Sequence, residues 1–154
     1  MMFEYRKAIE KDRASIEALF IEMLQTIYNT EDVEGYEEGY LDKYFSDSED
    51  QIILAESDGK VIAFLSIEVY REDNYIYLDD LSVTKDFRGN GIGTHLIRSA
   101  EQYAKEIGIG AIVFHVEKSN TKAHSLYKRL GYEDNYDEGS RMRMVMYGLF
   151  DHTF

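Results

Sequence analysis

The run Leu81-Ser82-Val83, four linking residues, and then Arg88-Gly89-Asn90-Gly91-Ile92-Gly93-Thr94 decides how this chain is read. A β-branched strand end feeds a glycine-rich turn. Beyond it Ile92, Leu96, Ala100, Tyr103 and Ile107 recur at helical spacing, and Gly108 closes the helix. Glycines here let backbone N–H groups approach an anion closely, and a helix start adds about half a unit of positive charge. A diphosphate suits such a place. The plainer alternative is a glycine turn that only lets strand and helix pack. A P-loop needs Gly-Lys-Ser/Thr, whereas Gly93 is followed by Thr94-His95. The dinucleotide fingerprint accommodates Gly89, Gly91 and, at the end of the next strand, Glu117. Its third glycine, however, falls on Thr94, and the run stands mid-chain instead of opening a βαβ unit.

Working upstream, Tyr75 to Val83 reads as a strand after a polar turn at Glu72-Asp73-Asn74. Gln51 to Glu56 and Lys60 to Tyr70 read as a hairpin turning at Ser57-Asp58-Gly59. A short strand around Phe3-Tyr5-Arg6 leads to Asp12, a candidate N-cap. Ile16, Leu19, Phe20, Met23 and Ile27 then form a helical stripe, and a second helix is expected over about Glu34 to Phe45. Downstream, Ala111 to Val116 is a compact strand and Asn120 to Leu130 a helix closed by Gly131. Met142 to Gly148 is a final strand after a polar loop. The order is β-α-α-β-β-β-α-β-α-β-β. This predicts an α/β (α+β) fold with a mixed, mostly antiparallel central sheet of 6–7 strands and about four flanking helices. With no proline, glycine and Asx residues must mark the turns.

At 154 residues, 44% hydrophobic and 31% charged, the chain suits one folded domain spanning 1–154. The absence of cysteine excludes disulfides, thiolate metal sites and a cysteine nucleophile, and fits a cytoplasmic setting. No run approaches the roughly 18 apolar residues of a membrane span, the best being Val61 to Leu65, so no membrane role is expected. Met1 to Arg13 is mixed in charge, without an apolar export signal. The net charge of −13, from 17 Lys+Arg against 30 Asp+Glu, repels phosphate backbones and argues against nucleic acid. A polycationic small molecule, or a peptide bearing lysine or a free N-terminus, fits better. The plainer alternative is an excess that serves only solubility.

Read with its surroundings, the glycine run resembles the acetyl-CoA loop (Arg/Gln-x-x-Gly-x-Gly/Ala) of the GCN5-related N-acetyltransferase superfamily. A second block, Asn120-x-x-Ala123-x-x-Leu126-Tyr127-x-x-Leu130-Gly131-Tyr132, stands where that family has one, and the element order agrees over almost the whole chain. The resemblance implies that the amides from Arg88 through Gly89, Asn90, Gly91, Ile92 and Gly93 to Thr94 bind the diphosphate of acetyl-CoA. It also implies that the backbone around Leu81, Ser82 and Val83 pairs with the pantetheine arm, admitted where Tyr75–Val83 and Ala111–Val116 splay apart. Asn120 would contact the co-substrate near its thioester end, and Tyr127 would face the sulfur. A homodimer is expected on the same ground.

Acetyl transfer to an amine needs a neutral amine, although lysine titrates near 10.4. It also needs a donor for the oxyanion and, optionally, a proton for the departing thiolate. Tyr127 is the candidate acid. Its alternative reading is a core tyrosine beside Ala123, Leu126 and Leu130. Asp79 is the candidate base, directly or through a water. Strand alternation places it with Tyr77, Leu81 and Val83, while Asp80 points the other way toward a structural contact. The alternative for Asp79 is a carboxylate on a solvated strand end, and many relatives carry glutamate near this position. The oxyanion donor would be a main-chain N–H near Leu81. His115 and Glu117 could face the acceptor, or His115 could be a satisfied structural residue. His95, His124 and His152 form no ligand pattern with carboxylates, so no metal is expected.

The acceptor is addressed by Glu31 to Asp50, where nine carboxylates meet only Lys43, and Tyr36, Tyr40 and Tyr44 fall four apart. In the family this region lines the acceptor mouth, and carboxylates beside aromatic faces suit a cation. A second acidic, aromatic cluster spans Tyr132 to Glu138. A solvated helix with tyrosines packed on the core is the alternative. Tyr77 to Val83 looks like the corresponding strand of polyamine and some aminocyclitol-antibiotic acetyltransferases, which favours a small polyamine-like or aminoglycoside-like acceptor. Acetylation of a protein N-terminus or lysine, and a non-catalytic acyl-CoA-binding module, are the competing functions.

Overall fold

The computed structural model describes residues 2–149; Met1 and residues 150–154, including His152, lie outside the described residues. The strands are β1 (Glu4–Lys7), β2 (Gln51–Ser57), β3 (Lys60–Tyr70), β4 (Tyr75–Val83), β5 (Ala111–Glu117), β6 (Glu133–Asp137) and β7 (Arg141–Met146). The helices are α1 (Arg13–Tyr28), α2 (Ile92–Glu106) and α3 (Thr121–Arg129). The seven strands form one sheet in the order β1-β2-β3-β4-β5-β7-β6, mostly antiparallel as expected. The described residues group into two compact units, 2–68 with 79–100 and 69–78 with 101–149.

In the first unit, Asp58 (φ 50°) and Gly59 (φ 76°) form a two-residue loop between the paired residues Ser57 and Lys60. Positive φ at both central positions matches the right-handed twist of the strands, which is why Asp-Gly sets the hairpin here. The strands it joins pack Ile52, Leu54 and Phe64 against Ile16 and Leu19 of α1, with Leu41 and Tyr44 completing the cluster. Ile27, placed by its spacing on the α1 stripe, is instead 62% exposed, because the helix runs on past this core.

Two local expectations are corrected. Asp12 makes no side-chain cap to α1. Its carboxylate instead takes both Arg6 guanidinium nitrogens, at 2.8 and 2.9 Å, and the Ile9 amide at 2.8 Å. The arginine, itself also paired with Glu56, outcompetes a cap because a bidentate ion pair is stronger than a single bond from a carboxylate to a neutral amide. The second correction concerns 34–45, where a helix was expected. The chain makes only a 3-10 turn over Tyr40–Tyr44, entered through Gly39 at φ 82°. Tyr36 stacks on Phe20 of α1 with centroids 3.8 Å apart and on Tyr40 at 4.9 Å, so tertiary stacking replaces a regular helix. Three α-helices, not four, are therefore present among the described residues.

In the second unit, β4 runs parallel to β5 over Tyr75↔Ala111, Ile76↔Ile112 and Tyr77↔Val113, and β5 pairs antiparallel with β7 from Ile112 to Glu117. Alternation along β5 separates two faces. Phe114 stands edge-on to Tyr127 and Tyr132, at 4.7 and 4.9 Å, while Val113 packs with Ala111, Val145, Tyr75 and Tyr77. Buried Tyr132 satisfies its hydroxyl by donating to buried Glu101 at 2.9 Å. The acidic stretch after Tyr132 is a fully exposed strand, β6, whose carboxylates keep the sheet edge soluble. Gly108 (φ 76°) ends α2 as expected, with the Ile109 amide reaching back to the Ala104 carbonyl at 2.8 Å.

Arg6 holds the Asp12 carboxyl below the usual carboxylate range. The stabilisation it carries is therefore present above about pH 4 and is lost as pH falls through the lowered folded value. Asp12→Ala should cost about 1–2 kcal/mol at pH 7 by urea unfolding, since it removes the bidentate pair while leaving Arg6 on Glu56, and the deficit should shrink progressively in acid. An equal deficit at pH 7 and pH 3 would contradict this account.

Candidate active site

The glycine turn begins where β4 ends. Thr84 and the short turn Lys85–Phe87 are held by one carboxylate of α1: Glu22 accepts from Thr84 Oγ1 at 2.7 Å and from the Lys85 amide at 3.1 Å, and lies 3.5 Å from Arg88. The Arg88 side chain folds back, its Nε donating to the Val83 carbonyl at 2.9 Å. Asn90 closes the turn by donating to the Phe87 carbonyl at 2.9 Å. Gly89 (φ 80°) and Gly91 (φ 75°) alternate with Arg88 and Asn90, and α2 starts at Ile92. Arg88 is extended and its amide already donates to the Lys85 carbonyl at 3.3 Å, while successive amides in a turn such as 89–94 can form a concave anion-binding nest. The first-turn amides of α2 have no partner four residues back and add their positive end. A Cβ on Gly89 or Gly91 would meet nothing within 4 Å, so these glycines are required by their φ and not by crowding. Gly93 differs, since a Cβ there would only touch Leu81 at 3.7 Å.

Of the residues preceding the turn, Ser82 directs its hydroxyl to the Leu19 carbonyl at 3.1 Å and is buried. That confines any contribution to a ligand to its main chain. The Val83 carbonyl is already engaged by Arg88.

One step earlier on β4 lie two carboxylates. Asp79 is exposed and accepts the Tyr40 hydroxyl at 2.6 Å; Asp80 is half-buried and accepts the Tyr36 hydroxyl at 2.9 Å, while its amide donates to Ser66 Oγ at 2.9 Å. The contact expected for Asp80 is thus made to the loop after α1. Burial, reinforced by the charge of Asp79 and opposed by the Tyr36 bond, raises the Asp80 carboxyl to about 6. Burial also raises Tyr36, Tyr40 and Tyr44 above the ordinary tyrosine range, helped by these carboxylates, so all three stay neutral, with Tyr36 and Tyr40 as the donors to Asp80 and Asp79.

In the second unit, Asn120 caps α3, its Oδ1 accepting the Ala123 amide at 3.1 Å, so only its carboxamide nitrogen lies outside the cap. Tyr127 is half-buried against Phe114, and burial raises its hydroxyl above the normal value. His115 bridges two groups: Nδ1 lies 2.6 Å from the Tyr77 hydroxyl and Nε2 lies 2.8 Å from Glu138. It is a satisfied histidine, and Glu117 is exposed. Among the described residues, no group of three or more His, Asp or Glu side chains could hold a metal, and no helix is long and apolar enough to cross a membrane. Sequence reading missed Glu22, because its partners lie about sixty residues away and its helical position carries no signal of its own.

The sheet order, the nest at the start of α2 and the capped α3 after β5 define the class: an N-acetyltransferase fold. Residues 17–132 match the sequence model of the Acetyltransferase (GNAT) family, and the chain belongs to that family. It is 32% identical to the uncharacterized N-acetyltransferase YhfO of Bacillus subtilis over 135 residues, covering 84% of this chain and 89% of that one. Streptothricin acetyltransferase of Streptomyces lavendulae is 30% identical over 49% of this chain and 40% of its own length. Among solved structures, the PaiA N-acetyltransferase of Thermoplasma acidophilum, crystallised with coenzyme A, superposes with a TM-score of 0.78 at 21% identity, covering 96% of this chain and 99% of that one. The protein is an N-acetyltransferase.

Gly89→Ala and Gly91→Ala each force a side chain into the left-handed region and should destabilise the fold by about 1–2 kcal/mol. Both should weaken coenzyme A binding, measured by calorimetry, about tenfold or more. Gly93→Ala should match wild type in thermal stability. Equal tolerance at all three positions would overturn the nest.

Proposed function

We propose that this chain transfers an acetyl group from acetyl-CoA directly to the primary amine of a small cationic acceptor. The observation that carries the reading is the paired arrangement in the first unit, an anion nest at residues 89–94 and a tyrosine–carboxylate cluster at Tyr36, Tyr40, Asp79 and Asp80. The nest suits the diphosphate of the co-substrate, and the coenzyme A seen with the PaiA relative supports that choice. The backbone of Leu81 to Val83 would receive the pantetheine arm. Because Arg88 already occupies the Val83 carbonyl, Leu81 is expected to supply more of this pairing. The relative named for streptothricin and the acidic cluster both favour a polycationic small acceptor.

In this reading the ammonium binds at the carboxylates and surrenders its proton to Asp79. The neutral nitrogen forms its bond to the thioester carbon, an N–H near Leu81 steadies the oxyanion, and the C–S bond breaks as the nitrogen releases its second proton to solvent, from which Tyr127 is afterwards reprotonated. Tyr127 donates its proton to the thiolate. Its raised value keeps it in the donating form, while a thiol near 8.5 is a tolerable leaving group unaided. The help from Tyr127 is therefore worth only one or two decades of rate. Asp80 offers a second reading for the base, favoured by its carboxyl at about 6, close to the pH at which a base works best.

Following thiol release from acetyl-CoA over a panel of polyamines, aminoglycosides and lysine-bearing peptides tests the function. Turnover of small polycations is expected, and peptides outpacing them would favour the protein-directed alternative. Tyr127→Phe should lower kcat roughly 10- to 100-fold while leaving coenzyme A affinity intact. No activity in the parent together with intact affinity would point to a binding module. If Asp80 is the base, kcat/KM should rise through a limb near pH 6 that Asp80→Asn abolishes. Survival of that limb, with loss of activity in Asp79→Asn, assigns the proton to Asp79.

A further inference from the structure

The tyrosine–carboxylate cluster already holds a primary ammonium group, and it belongs to the chain itself. Lys43 Nζ is ion-paired with Glu68 and stands 4.9 Å from the ring centre of Tyr40 and 5.2 Å from that of Tyr44. Burial disfavours its charge, yet Glu68, with Asp79 and Asp50, holds its pKa above the usual lysine value. The backbone at this point is pinned, because the Lys43 carbonyl accepts the hydroxyls of Ser46 at 3.1 Å and Ser48 at 2.8 Å. The side chain is 37% exposed and flexible, so its head can leave without moving the turn.

An acceptor ammonium has the same chemistry as this lysine and would use the same carboxylate and ring faces. Resting on the reading of this cluster as the acceptor seat, we propose that Lys43 is a resident cation that sets acceptor specificity. The acceptor takes its place on Glu68, Tyr40 and Tyr44, and the lysine moves out to solvent. A monoamine that displaces Lys43 remakes only the contacts it removes and gains little. A second ammonium on the same acceptor adds attraction to Asp79 and Asp80, whose carboxylates Lys43 leaves only partly neutralised. The site thereby favours acceptors with two or more positive charges.

Calorimetric titration with 1,4-diaminobutane and with butylamine, on wild type and on Lys43→Met, tests this. Methionine keeps the apolar stem and removes the charge. Wild type should bind the diamine about tenfold more tightly than the monoamine, and in Lys43→Met butylamine should gain about tenfold, the scale of one ion pair with cation–π contacts. A second readout needs no variant: the Lys43 ε-methylene protons, lying near two tyrosine faces, should resonate upfield and return toward the free-lysine position as diamine is added. An unmoved signal at saturating diamine, or no gain for butylamine in Lys43→Met, would overturn the proposal. If wild type acetylates small amines and Lys43→Met binds them no better, the acceptor reading stands and the role of Lys43 falls. If wild type acetylates only peptides while Lys43→Met takes up butylamine, the role of Lys43 stands and the small-acceptor reading falls.

Discussion

Glu22 is the contact on which the geometry of the glycine turn depends. A single carboxylate, presented by α1, receives the hydroxyl of Thr84 and the amide of Lys85 and lies beside the guanidinium of Arg88. Without it the turn leaving β4 would have to direct Arg88 by its own backbone, and the following residues alternate through left-handed conformations that any neighbour could unsettle. With it, Arg88 is folded onto the Val83 carbonyl by its side chain and donates its amide to the Lys85 carbonyl at 3.3 Å. The side chain of Arg88 is thus engaged within the turn itself, on the Val83 carbonyl and beside Glu22.

The same economy governs the polar residues of β4. Asp79, Asp80 and Ser82 sit in a strand whose neighbours Ile76 and Leu78 are buried; at half-buried Asp80 and buried Ser82 an unpaired polar group would be costly, while Asp79 is exposed. Each is answered by an element distant in sequence: Ser82 by the Leu19 carbonyl, Asp80 by Tyr36 and Ser66, Asp79 by Tyr40. Neutral tyrosine hydroxyls satisfy the carboxylates without cancelling their charge. That distinguishes this arrangement from the Arg6–Asp12–Glu56 group, where one guanidinium pairs directly with both carboxylates and the outcome is structural. A carboxylate bonded to a phenol stays available to a cation or a proton.

Much was legible before the structure, and the reason is local. Period-2 and period-3.6 patterns, the Asp58-Gly59 turn and the stop at Gly108 each depend on a few adjacent residues. So does the positive φ required at Gly89 and Gly91, because only glycine reaches it without strain. The segment 34–45 failed for the opposite reason. Its four-residue tyrosine spacing imitates a helix face, but those rings are spent on Phe20, Asp79 and Asp80, none of which is near in sequence. Asp12 misled similarly, since a cap and a partner for Arg6 look alike in one dimension.

By itself, then, the sequence determined the class of fold, the family and the positions of the positive-φ glycines 89 and 91, since these rest on backbone conformations and periodicities written in neighbouring residues. Only the tertiary structure decided which carboxylate is raised toward neutrality, which tyrosines hold the pair, and that Lys43 rests among them. Those properties arise from burial and from charges brought together across tens of residues, and no local pattern encodes either.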